Sequence, residues 1–312
     1  MRAVGVNAYG GPEALEIVEL PEEQAGPGEV RLRVFAAAVN PTDTLARNGS
    51  RVETQKIDPP PYVPGMDAAG VVDQVGPRVT TGISVGDAAM AMVVPRGAHG
   101  AYRESLVLQA RSVVPSPEGF SHVQTCTLPM NGLTATLSLE LLGLQRGQVL
   151  AVTGGAGAYG GYMIELGKAA GLTVISDASD LDIALVKELG ADIVVSRGDD
   201  FAEKVRNHFP RGVDGLADGA VLNELVIDAV SDGGAFTSVR GFSASDIRNI
   251  NFTTTFVTSF DGDFEKLDAL REHAENGAVT LRVADTYPAE KASDAHTRLE
   301  AGGTRGRCVI TF

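Results

Sequence analysis

Thr153-Gly154-Gly155-Ala156-Gly157-Ala158-Tyr159-Gly160 follows the short apolar run 148–153 (QVLAVT) and opens a segment of helical spacing over residues 160–170. Gly154, Gly157 and Gly160 form a GxxGxxG triplet. Between a strand and a helix, with another strand–helix unit after it, this is the context that a dinucleotide-binding fingerprint requires. Missing Cβ atoms let the backbone approach a pyrophosphate, and the helix start offers N–H groups and a favourable dipole to its negative charge. A tight strand–helix turn with no ligand is the plainer reading of the same glycines.

Outward from the loop the alternation continues. Residues 172–175 read as a strand and 180–189 as a helix closed by Gly190, a good C-cap residue. A strand at 193–195, a helix at 201–208, and the segments 215–218 and 226–230 extend the series. Strands alternating with helices mean a parallel sheet with crossovers. The end of the second strand should choose the nucleotide. Asp177 lies where a ribose-binding acid sits, and an acid there repels a 2′-phosphate. Ser179 either hydrogen-bonds that phosphate or caps the next helix, as Asp180 also can.

The first 120 residues have a different texture. Alternating or β-branched segments at 29–35 (EVRLRVF), 69–75 (AGVVDQV) and 104–108 (ESLVL) are separated by Gly/Pro punctuation, such as Pro59-Pro60-Pro61 and Pro64-Gly65. Residues 122–142 are apolar at helical spacing, interrupted by Pro129 and Gly132. After the alternating region, 263–275 and 289–300 read as helices, and 280–286 and 307–312 as strands. The end of the chain is expected to rejoin the first domain.

At 312 residues, two domains are the better expectation than one core. Net charge is −14, with 26 basic and 40 acidic side chains, which disfavours nucleic acid and anionic membrane surfaces as partners. The two cysteines, Cys126 and Cys308, show no metal-ligand spacing and read as small core residues. There is no secretion signal and no run of about 18 apolar residues, so a reducing cytoplasm is the expected location.

Taken together, the segments GPEALEIVELPEEQAGPGEVRLRV at the start, AAAVNPTD at 36–43, PPYVPGMDAAGVVDQVG at 60–76, VGD at 85–87, LPMNGLTA at 128–135, the glycine loop, KELGAD at 187–192 and RGRCVITF at 305–312 resemble the zinc-independent quinone oxidoreductase branch of the medium-chain dehydrogenases/reductases. The resemblance covers nearly the whole chain. It implies an α/β protein, with a doubly wound parallel Rossmann sheet (122–269) and a GroES-like β-rich domain (1–121 and 270–312), a cleft at their junction, and a homodimer. Zinc members carry Cys, His and Cys at the places of Asn40, Met66 and Met130, so no metal is expected.

The resemblance puts Asn40 in the cleft and turns Thr134 toward the cofactor. Tyr62 either lines the cleft entrance or is a packed aromatic. The implied cofactor contacts are Asn40, Thr134, Gly154, Gly157, Ala158, Tyr159, Gly160, Asp177, Ser179, Arg197, Val239, Phe256, Val257 and Arg307. Tyr159 replaces a small aliphatic residue and either stacks near the nicotinamide or covers the pyrophosphate. Asp43 is read as a helix cap, and Arg47 as a solvated helix residue. His99 lies in a loop; the other histidines fall in expected helices and are read as surface residues. Arg197 stands where the family places a phosphate-contacting Tyr, and a guanidinium suits a phosphate. NADPH is therefore expected over NADH.

Without zinc, the expected reaction is hydride addition to a quinone or an α,β-unsaturated carbonyl, which takes charge onto its own oxygen. The Tyr that relatives carry at the place of Leu45, or near Arg51, is missing, so water is the expected proton source. The alternatives are an enoyl reductase acting on a thioester or polyketide intermediate, and a non-enzymatic nucleotide-binding protein.

Overall fold

The computed structural model describes residues 1–50 and 58–312, so Arg51 lies outside the described residues. The chain forms two compact units. The first comprises Met1–Met130, Phe260–Asn276 and Leu281–Phe312, and the second Asn131–Ser259 with Gly277–Thr280. Residues 122–130 and 260–269, which the sequence pattern groups with the Rossmann segment, fall in the first unit.

The chain opens with β1 (Arg2–Gly5) and β2 (Glu16–Glu19), an antiparallel pair. It continues through β3 (Glu29–Ala38), α1 (Pro41–Arg47), β4 (Asp67–Val75), β5 (Ala88–Met92), β6 (Ser105–Gln109), β7 (Val113–Pro115) and the short α2 (His122–Thr125). In β3, Val30, Leu32 and Val34 are buried while Arg33 is exposed, the two-residue period of a half-buried strand. Their partners in the core include Val72, Leu106, Leu108, Val113 and Ile310.

Asn131 lies within α3 (Pro129–Leu142), where the second unit begins. This helix is buried on nearly every face, with Glu140 its exposed residue. Then come β8 (Val149–Thr153), α4 (Ala158–Ala169), β9 (Thr173–Ala178), α5 (Ile183–Glu188), β10 (Ile193–Ser196), α6 (Phe201–His208), β11 (Val213–Asp218), β12 (Val230–Ser238) and β13 (Asn251–Thr254). All six strands are parallel, in the order β10-β9-β8-β11-β12-β13. The order reverses between β8 and β11, and that is the place where doubly wound sheets bind ligands. Phe201 and Val205 of α6 pack with Val213, Leu216 and Phe236 in the core below this sheet.

The chain ends with α7 (Phe264–Glu275), β14 (Val283–Pro288), α8 (Ala292–Glu300) and β15 (Arg307–Thr311). β15 pairs antiparallel with β3, so both ends of the sequence share the seven-stranded sheet.

Two sequence expectations need correction, and one strand was not expected. Residues 223–229 form a 3-10 turn, and the strand begins only at Val230. The helix expected at 289–300 is split into a 3-10 turn (Ala289–Lys291) and α8. β13 carries Asn and three threonines or aromatics rather than an apolar run, and periodicity passes over it. Among the described residues no helix is long and apolar enough to cross a membrane.

Candidate active site

In the second unit the glycine loop joins the C-terminal end of β8 to α4. Gly154 has φ +73°, a conformation that favours glycine. A Cβ on Gly155 would lie 2.2 Å from Ser176 Oγ, and one on Gly160 would lie 2.2 Å from the Gly154 carbonyl oxygen. These two glycines exist so that backbone can approach backbone and β9. Gly157 differs. It is the exposed N-cap of α4, and an added Cβ would meet only Gly154 O, at 3.2 Å. The helix thus begins on a solvent-exposed glycine, and a helix start of this kind is the arrangement that receives a phosphate group. This cradle fits a dinucleotide.

Asp177, near the end of β9, does not present a free carboxylate. Its side chain is 2 % exposed. Oδ1 accepts the N–H of Gly154 at 2.5 Å and, more weakly, that of Gly155 at 3.4 Å. Oδ2 accepts Nε–H of Arg197 at 3.1 Å. The two residues that pull opposite ways in the sequence reading are therefore one ion pair, with the Arg197 side chain 52 % exposed. Ser179 does not cap α5. Its hydroxyl donates to Asp182 Oδ2 at 2.6 Å, and Asp182 is the N-cap residue.

Tyr159 is buried, and a Cβ on Gly219 would meet its ring at 2.6 Å. Its hydroxyl donates to Ser138 Oγ at 2.8 Å. Ser138 Oγ also bonds Thr255 Oγ1 at 2.9 Å and the Thr134 carbonyl at 2.9 Å, and Thr255 bonds Thr237 Oγ1 at 2.8 Å. Burial pushes the Tyr159 phenol well above its ordinary pKa, so it stays a neutral donor. This hydroxyl chain brings Thr134 and Tyr159 together and ties α3 and α4 to β12 and the end of β13. Val239 follows β12 and is half-buried; Phe256, beyond β13, is 63 % exposed, and Val257 is buried.

Across the topological switch, Asp218 at the end of β11 accepts Thr153 Oγ1–H at 2.6 Å and the backbone N–H groups of Leu222 and Asn223 at 3.1 and 2.7 Å. The sequence reading passes over Asp218. An acid ending an apolar strand and preceding Gly219-Ala220 is the signal that would have found it.

In the first unit Asn40 is the N-cap of α1 and is fully buried. Its amide nitrogen donates to Asp67 Oδ2 at 2.6 Å, and Asp67 Oδ1 accepts Met130 N–H at 2.6 Å. Asp67 is a further residue that the sequence reading passes over, although a charge inside the apolar run MDAAGVV demands partners. Asp43 closes a capping box by accepting Asn40 N–H at 2.8 Å, and it also accepts Gly65 N–H and the Tyr102 hydroxyl, each at 3.1 Å. Tyr62 is stacked on Tyr9, with ring centroids 4.9 Å apart. Arg307 is buried at the start of β15, and its charge partly offsets the burial of Asp43 and Asp67.

Arg47 corrects the sequence reading. It is buried, and it donates to Gly10 O at 3.2 Å, to His296 Nδ1 at 3.2 Å and to Glu300 Oε1 at 2.7 Å. His296 corrects it too, being fully buried. With Nδ1 accepting from Arg47, Nε2–H donates to Tyr102 Oη at 3.2 Å, and the Tyr102 hydroxyl donates to Asp43. Burial, then the neighbouring Arg47 charge, lowers the His296 pKa to about 3, so the imidazole is neutral.

Burial raises Asp67 to about 7 and Asp43 to about 6, against the pull of their hydrogen bonds. Unfolded, each acid titrates near 3.8. Between about pH 4 and pH 7 the unfolded chain releases protons that the folded chain keeps, so stability falls as pH rises through that window. Asp67→Asn is expected to flatten that fall. Urea denaturation of both proteins across the window checks this, and parallel pH curves would contradict it.

The places at which zinc members carry ligands hold the wrong donors. The Asn40 amide nitrogen already donates, the Met66 thioether accepts from Thr42 Oγ1 at 3.3 Å, and Met130 offers a second thioether. Zinc is held by thiolate, imidazole and carboxylate groups, so this set does not suit it.

Comparison with known proteins agrees with this architecture. Residues 26–118 match the alcohol dehydrogenase GroES-like domain, and residues 189–310 match the zinc-binding dehydrogenase family. A 2-methylene-furan-3-one reductase of Solanum lycopersicum is 28% identical, covering 99% of this chain and 79% of its own length. An NADPH-dependent alkenal/one oxidoreductase, chloroplastic, of Arabidopsis thaliana is 27% identical with the same coverage. The solved structure of a mycobacterial quinone oxidoreductase superposes over 100% of both chains with a TM-score of 0.83 at 28% identity. With a GroES-like unit built from both chain ends and a six-stranded parallel sheet carrying a glycine-loop cradle, the chain belongs to the medium-chain dehydrogenase/reductase superfamily of nicotinamide-dependent oxidoreductases.

Proposed function

We propose that the protein is an NADPH-dependent reductase that delivers hydride to a quinone or an α,β-unsaturated carbonyl without zinc. The observation that carries this reading is the glycine cradle at the start of α4, flanked at the ends of β9 and β10 by the Asp177–Arg197 pair. The names of the furanone, alkenal/one and quinone relatives support the acceptor class, and the Arabidopsis relative supports NADPH.

In this reading the backbone from Gly154 to Gly160, with Ala158, holds the pyrophosphate. Arg197 faces the 2′-phosphate, and Ser179 joins it by turning its hydroxyl from Asp182 to the phosphate. Thr134, Val239, Phe256 and Val257 line the nicotinamide end, and Tyr159 holds that wall rigid through Ser138. When bound, the reduced nicotinamide supplies a hydride. A conjugated acceptor moves the incoming charge onto its own oxygen, so the chain need only orient it, exclude water and hydrogen-bond that oxygen. Asn40, oriented by Asp67, is assigned to that hydrogen bond, with Tyr62 and Arg307 on the acceptor side. No tyrosine stands at Leu45, so the proton comes from water.

The test is NADPH consumption with a panel of quinones, enones and enoyl thioesters, before and after chelation. Quinones and enones should be reduced at rates that chelation leaves unchanged. Turnover of thioesters alone would replace this reading with an enoyl reductase, and loss of activity on chelation would end the zinc-free account.

A further inference from the structure

We propose that Asp177 is a positioning residue for cofactor choice: it favours NADPH over NADH by holding Arg197, although its own charge is negative. This rests on the NADPH reading above and deepens it.

A carboxylate at the end of the second strand of a nucleotide-binding sheet is ordinarily a charge that repels a 2′-phosphate. Here it is almost wholly withdrawn from solvent and used in two directions. One oxygen fixes the Gly154 and Gly155 N–H groups and so braces the start of the loop. The other oxygen takes Nε of Arg197. The Arg197 backbone is fixed too, its N–H donating to Ala178 O at 2.8 Å.

The guanidinium is thus anchored by one nitrogen, while its two terminal nitrogens have no partner among the described residues and lie on a half-exposed side chain. Two N–H groups on one edge of a planar fork are the donors that grip a phosphate. Arginine otherwise loses considerable rotamer freedom on binding, and prior anchoring removes most of that loss. Repulsion between Asp177 and the phosphate is reduced because the Arg197 charge stands beside it.

Simple charge counting and positioning make opposite forecasts for Asp177→Asn. Charge counting says that NADPH binds tighter once the anion is gone. Positioning says that NADPH binds more weakly, because the amide no longer anchors the guanidinium.

Dissociation constants for NADPH and NADH, measured by titration calorimetry on the wild type, Asp177→Asn, Arg197→Ala and the double variant, decide it. The wild type should prefer NADPH. Each single substitution should weaken NADPH about tenfold and move NADH by less than about twofold. The double variant should be no worse than Arg197→Ala alone. Arg197→Lys, an exposed change that keeps the charge but has no Nε to be held, should also lose most of the preference, and it reports even if Asp177→Asn folds poorly. Unchanged or tighter NADPH binding by Asp177→Asn, equal losses for both nucleotides, or an intact preference in Arg197→Lys would each overturn the positioning role. A wild type that prefers NADH would instead bring down the NADPH reading, and this inference with it.

Discussion

Gly157→Val should weaken NADPH binding at least tenfold, about 1.4 kcal/mol or more, while the protein stays folded. An added Cβ at this position meets only Gly154 O at 3.2 Å, and φ is −70°, which any residue adopts. The branched side chain therefore stands over the opening turn of α4, in the volume that the pyrophosphate needs. The loss of a glycine N-cap costs the fold about 1 kcal/mol. Gly160→Val is the contrasting case. Its Cβ would lie 2.2 Å from Gly154 O, so the loop must move and folding suffers before binding is measured. Calorimetric titration of Gly157→Val with NADPH, beside a thermal melt, separates the two. A folded variant with wild-type affinity would remove the phosphate from this turn.

The second large effect is on stability. Arg47→Ala should cost about 3 kcal/mol, from the cavity it leaves and the buried acceptors it strands. His296 Nδ1 loses its donor in the interior, and the half-buried Gly10 carbonyl loses one as well. The disturbance then reaches Tyr102 and Asp43, because the neutral tautomer of His296 is set by the bond that Arg47 makes. Glu300 is half-exposed and can rehydrate, so Glu300→Gln should cost less than about 1 kcal/mol. Urea midpoints for the two variants provide the check. A near-neutral Arg47→Ala would show that Arg47 contributes as a surface residue does.

The sequence discloses the second unit better than the first. Apart from β13, its strands carry short apolar runs, its helices have apolar faces, and the glycine triplet marks a turn whose chemistry is specific. Local pattern fails where partners are distant in sequence. Arg47 on α1 looks like a solvated end of a helix, and only α8, some 250 residues later, supplies His296 and Glu300. Tyr159 looks like an intruder in the glycine loop, and its partner Ser138 sits on a different helix. Asp177 and Arg197 are each legible as nucleotide-facing residues. That they bind each other follows from the parallel register of β9 with β10, in which Val195 stands opposite Asp177. Asp67 and Asp218 stand in the sequence as charges in apolar strands, and a buried charge demands partners.

Isotope transfer tests the central claim most directly. An α,β-unsaturated ketone is reduced with NADPH carrying deuterium on the transferable position of nicotinamide C4, and the product is examined by mass spectrometry and NMR. The account predicts one deuterium per product, on the carbon β to the carbonyl, with the α-carbon protonated from water. Product with no deuterium, deuterium on the carbonyl carbon, or no product from any enone or quinone tried would contradict it.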